Sequence, residues 1–370
     1  MMGSRLHFCL MVLYCASLMI PTQCLGRICL PEEHVALFIF GESMIDAGNN
    51  NYINTTTVLQ TNIWPYGESY FKYPSGRASD GRLIPDFIAE YLKLPFVPPY
   101  LHPGYHRYTD GANFASAGAG ALVETNRGLV IDLHTQFHYF EKMERLLRQK
   151  LGEAETMTLL SRALYFISIG TNEYLVPFTS NSTMLQSYSH EEYVGMVIGN
   201  MTTVIKEIYN KGGRKFAFLN VEPLGCIPLA KALKPGNGGA CIEEMTALVK
   251  LHNKALSHVL QIQESQLKGF KYSKADLYSF VTERMKNPLK YGFKEGKMAC
   301  CGSGPYRGVV NCGGKGSVKE YELCGNPSEY VFFDAGHPSE KAYQQLAKLM
   351  WDGDLNVTWP YGIKALVGHK

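Results

Sequence analysis

The chain of 370 residues is 46% hydrophobic and 19% charged, the balance of a folded globular protein, which excludes a mainly disordered one. Lys and Arg number 36 against 33 Asp and Glu, a formal charge of +3 with no long basic run, so nucleic acid is not expected as a partner.

At the N-terminus, Arg5, the largely apolar stretch from Leu6 to Ile20, Pro21 and the small-residue ending Cys24-Leu25-Gly26 have the order of a secretory signal peptide, predicted over residues 1–26. Residues 27–370 are then the mature protein. No other run approaches the ~18 apolar residues of a spanning helix, and the C-terminus lacks a hydrophobic tail, so no stable membrane anchor is expected. Glycosylation acceptors at Asn54, Asn181, Asn200 and Asn356 agree with secretion. Beyond the signal, Cys29, Cys226, Cys241, Cys300, Cys301, Cys312 and Cys324 remain, an odd number. Disulfides are expected among them, with a connectivity left open and at least one thiol free or paired elsewhere.

Along the mature chain, short aromatic and β-branched runs alternate with segments of helical period. Ala36 to Phe40, Ala163 to Ile169, Phe216 to Val221 and Tyr330 to Phe333 read as buried strands. Arg82 to Leu92, Tyr193 to Tyr209 and Ile242 to Leu267 read as helices, and Pro338 opens a closing helix through Met350. This alternation predicts one α/β domain with a mostly parallel sheet covered on both faces. Ligands of such sheets bind beyond the carboxyl ends of the strands.

The residues just beyond the strand ends can carry chemistry. After the first strand comes Gly41-Glu42-Ser43, where a pliable turn can present the Ser43 hydroxyl to a cleft; helix capping is the plainer role for a serine there. After the last comes Asp334-Ala335-Gly336-His337-Pro338, which sets a carboxylate and an imidazole on one short loop, the base and orienting group that a nucleophilic serine needs. After the second, Asn172 offers an amide to a developing oxyanion, and the small-residue loop Gly111 to Gly120 offers backbone N–H groups. That loop matches no phosphate-binding pattern. His134 and His138, a helical i,i+4 pair, lack a third ligand and read as a solvated face, so no metal is expected.

In order, FIFGESMIDAGNN, GANFASAGAG, ISIGTNEY and FFDAGHPSEKAY resemble the four blocks of plant GDSL esterase/lipases of the SGNH hydrolase superfamily. NVEPLGCIP and the segment from Tyr291 to Gly302 add to the likeness, which covers nearly the whole mature chain. The resemblance implies a three-layer α/β/α sandwich similar to flavodoxin and a single GDSL domain over 27–370. It makes Ser43 the nucleophile, His337 the base and Asp334 its orienting carboxylate. The oxyanion donors it implies are the Ser43 N–H, the Gly120 N–H, with Gly118 as the second choice, and the Asn172 side chain. No cofactor is implied, and the expected substrate is a small-molecule or lipid ester. Two alternatives go with it: an acyltransferase that uses the same site to acylate an alcohol, and a secreted binding protein without catalysis. Where the family usually has Asp before the serine and Leu after it, this chain has Glu42 and Met44; where it has Asp after the asparagine, this chain has Glu173. Each carboxylate reaches one methylene further.

Overall fold

Leu37–Gly41 (LFIFG) forms β1, a strand buried at every position, as the run of large apolar residues predicts. The computed structural model describes residues 31, 33–180 and 183–368; the predicted signal peptide, Cys29 and the acceptor at Asn181 lie outside the described residues. β1 pairs in parallel with β2 (Gly111–Asn113) on one side and with β3 (Leu164–Ser168) on the other. β4 (Lys215–Leu219) and β5 (Lys271–Ala275) extend the parallel run, and β10 (Thr358–Pro360) closes it antiparallel. The order β2-β1-β3-β4-β5-β10 puts the topological switch point between β1 and β3, where the direction of strand succession reverses.

Helices of eight residues or more are numbered α1 (Ile84–Tyr91), α2 (Leu133–Leu151), α3 (Glu153–Arg162), α4 (Thr171–Thr179), α5 (His190–Asn210), α6 (Glu243–Gln266), α7 (Leu277–Lys286) and α8 (Glu340–Asp352). Alternation along β1 sends Phe38 and Phe40 onto Phe140 of α2, while Ile39 turns toward Leu83 and Pro85 at the start of α1. On the first face α2, α5 and α6 pack in series; on the second α1 packs on α8. Tyr165 and Phe216 stack at 5.3 Å and continue the aromatic layer of the first face across β3 and β4.

Two expectations need correction. Tyr330–Phe332 is a strand, β9, but it pairs in parallel with β6 (Glu295–Ala299) in a separate sheet of two strands, not with the central sheet. Beside it β7 (Cys301–Gly302) and β8 (Glu322–Leu323) form a short antiparallel pair. β5 is absent from the strands read in the sequence, because Lys271 and Lys274 break its apolar pattern. Lys274 is nonetheless buried, its ammonium donating to Ser257 and lying 3.8 Å from the Trp359 ring centroid. Cys226–Cys241, Cys300–Cys324 and Cys301–Cys312 are disulfide-bonded.

A buried ion pair ties α1 to the loop before it. Arg77 donates from Nε and Nη2 to the two oxygens of Asp86 at 2.8 and 2.7 Å, and Asp86 also accepts the Leu83 N–H at the helix start. Asp86→Ala leaves the guanidinium buried without its partner and is expected to cost about 3–5 kcal/mol. A urea unfolding midpoint unchanged from wild type would refute that accounting.

Candidate active site

β1 ends on Gly41, whose φ of 151° and close approach to β3 exclude a side chain: a Cβ there would lie 1.9 Å from the Ser168 carbonyl oxygen. Gln136 of α2 clamps this glycine, accepting from its N–H and donating to its C=O, both at 2.8 Å. The chain leaving β1 is thereby fixed before it reaches Ser43. Beyond Ser43, Asp46 accepts from Gly48, Asn49 and Ala117, while Asn49 donates to the carbonyls of Asn113 and Ala115 and Asn50 to that of Ala117. Burial pushes the Asp46 carboxyl up to about 6, opposed by those backbone donors. The first and second sequence blocks are thus one hydrogen-bonded unit.

Ser43 Oγ lies 2.8 Å from His337 Nε2, and His337 Nδ1 lies 2.7 Å from Asp334 Oδ1. Asp334 Oδ1 also accepts the N–H groups of Gly336 and His337, and Oδ2 accepts the Tyr66 hydroxyl at 2.6 Å. Burial alone would push this carboxyl up. The His337 charge and hydrogen bond, the Lys315 ammonium and the Tyr66 hydroxyl outweigh it and hold Asp334 below the ordinary carboxylate range. An ionised Asp334 only accepts, so Nδ1 carries the hydrogen and Nε2 is left as the acceptor facing Ser43.

The longer Glu42 side chain folds back onto the serine. Its Oε2 is 2.9 Å from Ser43 Oγ, and its Oε1 accepts from Ser168 Oγ at 3.3 Å. Burial raises the Glu42 carboxyl, against hydrogen bonds from Ser43, Met44 and Ser168 and the His337 charge. Ser43 Oγ carries one hydrogen, for which Glu42 Oε2 and His337 Nε2 both lie within hydrogen-bond distance. Asn172 opens α4 immediately beyond β3, at the switch point, and its Nδ2 donates one hydrogen to the Ala119 carbonyl at 2.9 Å.

Gly120 is the site residue that the structure does not bring to the cleft. It packs against Glu173, where a Cβ would meet the carboxylate at 2.1 Å, whereas Gly118 lines the cavity beside Ser43. Gly118, the second choice in the sequence, is the glycine of this loop on the cavity wall. Glu173 is buried behind this loop and accepts from Leu122 N and Thr125 Oγ1; burial pushes its carboxyl up to about 7, against those donors.

Ser43, Asn172 and His337 open on a cavity of about 350 Å³ whose walls are mostly apolar, among them Met44, Leu59, Leu175, Ile227 and Val310. Its polar exceptions include Tyr66, Glu222 and Lys315, none of which the sequence singles out. Tyr66 and Lys315 sit in loops without periodicity, far in sequence from Asp334, although the Lys315 ammonium lies 4.5 Å from the Tyr66 ring centroid. Glu222 has a signal in its place within the NVEPLGCIP block, but nothing in that block marks it above its neighbours. His134 is only partly the solvated residue expected: its Nε2 is 3.0 Å from Asn200 Oδ1, while His138 is exposed and pairs with Glu141.

The model of the GDSL-like lipase/acylhydrolase family matches residues 37–350, which runs from β1 into α8 and takes in every residue of this cleft. The chain belongs to that family. GDSL esterase/lipase 1 of Arabidopsis thaliana is 51% identical over 347 residues, 93% of either chain. GDSL esterase/lipase 2 of the same plant is 52% identical over 340 residues, 91% of this chain and 90% of its own. The GDSL lipase of Tanacetum cinerariifolium is 51% identical over 361 residues, 98% of this chain and 94% of its own. In this GDSL protein the Glu42 and Glu173 departures leave the Ser43–His337–Asp334 chain of hydrogen bonds intact.

Proposed function

We propose that this GDSL protein is a secreted serine esterase that hydrolyses carboxylic esters through an acyl-enzyme on Ser43. The observation that carries the reading is the unbroken line from Ser43 Oγ through His337 to an ionised Asp334. Ser43 Oγ attacks the ester carbonyl as His337 Nε2 takes its proton; the imidazolium returns that proton to the departing alkoxide. Asp334 keeps the ring in the accepting tautomer and offsets its charge. The backbone N–H groups of Ser43 and Gly118 and the second Nδ2 hydrogen of Asn172 serve as oxyanion donors, each worth roughly 3–4 kcal/mol of barrier. Water then repeats the sequence at the acyl carbonyl. Export is supported by three disulfides and by exposed acceptors at Asn54 and Asn356. Asn200 is a poorer acceptor, since its amide donates to the Met196 carbonyl and pairs with His134.

A fluorophosphonate probe tests the reading without knowledge of the substrate. Ser43 is expected to be the labelled residue in a peptide map, and labelling is expected to disappear on heat unfolding. An unmodified Ser43 in folded protein would overturn the proposal and favour the binding protein without catalysis.

A further inference from the structure

Glu222 lies just beyond β4, and its backbone has little freedom. Asn253 of α6 brackets the preceding residue, accepting from Val221 N at 2.9 Å and donating to Val221 O at 2.8 Å, and Leu224 N donates to the Glu222 carbonyl. The side chain is 3% exposed and lines the cavity next to Ser43, where its own segment otherwise contributes Leu224, Ile227 and Leu229. Its Oε2 has no hydrogen-bond partner among the described residues. A buried polar atom left in this state is destabilising, and such atoms mark the place of a missing partner.

The surroundings favour one form of the carboxyl. The charges acting on it are those of Glu42 beyond β1 and Asp334 beyond β9, and Tyr343 of α8 is a further titratable neighbour. Lys315 and His337 share the cavity, but both are committed to Asp334. Burial first, then the charges of Glu42 and Asp334, push the Glu222 carboxyl well above the ordinary carboxylate range, which favours its neutral form. A neutral carboxyl carries one O–H donor and one carbonyl acceptor, a two-sided partner for an oxygen of a ligand.

We propose that Glu222 is a substrate-recognition residue that hydrogen-bonds an ether, hydroxyl or carbonyl oxygen on a chain of the ester near the scissile carbonyl. This deepens the esterase reading and rests on it. An all-apolar cavity would favour plain hydrocarbon esters; a carboxyl aimed into it penalises them, because their binding leaves the group unpaired. The shared chemistry is an oxygen-bearing chain, on either the acyl or the alcohol side.

The test compares kcat/KM of the full chain for shape-matched esters. In the acyl arm these are 4-nitrophenyl hexanoate and 4-nitrophenyl 3-ethoxypropanoate; in the alcohol arm, pentyl butyrate and 2-ethoxyethyl butyrate. Glu222→Leu supplies the intrinsic reactivity ratio of each pair. Relative to that ratio, wild type is expected to prefer the oxygen ester about 10- to 100-fold in one arm, which identifies the side bound. Glu222→Gln, which keeps a neutral donor and acceptor, is expected to retain most of the preference. Fluorophosphonate labelling of Ser43 reports that each variant has kept its site, with Glu222→Met replacing the leucine variant if that one does not fold. Equal ratios in wild type and the apolar variant, in both arms, would overturn the inference while leaving the esterase intact. Absence of any ester turnover together with an unlabelled Ser43 would overturn the esterase reading itself, and the inference with it.

Discussion

Ser43→Ala and His337→Ala are each expected to lower kcat for a simple ester by about 10⁶-fold, and the double variant by little more than either alone. Removal of Oγ takes away the atom that forms the bond, and removal of the imidazole leaves Oγ protonated, so the two losses describe the same step. What remains in each variant is the contribution of binding and of the oxyanion donors. KM is expected to change little, because neither group holds the ester in the ground state. Steady-state kinetics on purified protein check this; losses that multiply in the double variant would mean that Ser43 and His337 do not act as a unit.

Asp334→Ala should lower kcat by about 10⁴-fold, and Asp334→Asn by less. The reason is local. Oδ1 accepts from the Gly336 and His337 backbone N–H groups as well as from the ring, so three donors fix an acceptor at that position. In the asparagine variant those donors orient the amide oxygen toward His337 and keep Nε2 free of hydrogen, so that only the negative charge is lost. The amide nitrogen replaces Oδ2, and the Tyr66 hydroxyl turns to accept from it. Equal losses for the two variants would show that the carboxylate's charge, and not its place in the tautomer, dominates.

The parts of the site that are legible in the sequence are those set by strand ends. A buried run such as Leu37–Gly41 announces where a strand stops, and in a parallel sheet the stop is where chemistry gathers, so Ser43 and Asn172 can be placed by counting past β1 and β3. His337 and Asp334 stand out through their spacing on one loop, even though the strand before them belongs to a different sheet. The hidden part lies in side chains whose partners come from distant, aperiodic segments. Nothing near Tyr66 points to Asp334, 268 positions away in the chain. Nothing near Lys315 announces a buried ammonium. β5 escapes notice for a related reason, because Lys274 is polar by composition but finds Ser257 and Trp359 inside the fold. The choice between Gly118 and Gly120 depends on which side of a small-residue loop meets Glu173, a matter of packing that spacing does not encode.

The disulfides are unevenly distributed, and their placement gives the molecule two thresholds of failure. The central sheet, from Gly111–Asn113 through Lys271–Ala275, contains none of the bonded cysteines. Cys300 and Cys301, by contrast, donate to the Phe332 and Phe333 carbonyls directly before Asp334, and their bonds to Cys324 and Cys312 anchor the loop that carries Lys315. A thiol reductant is therefore expected to loosen the acidic end of the proton path before the sheet that holds Ser43. Catalytic competence is expected to depend on the redox state of the surroundings more tightly than the architecture does.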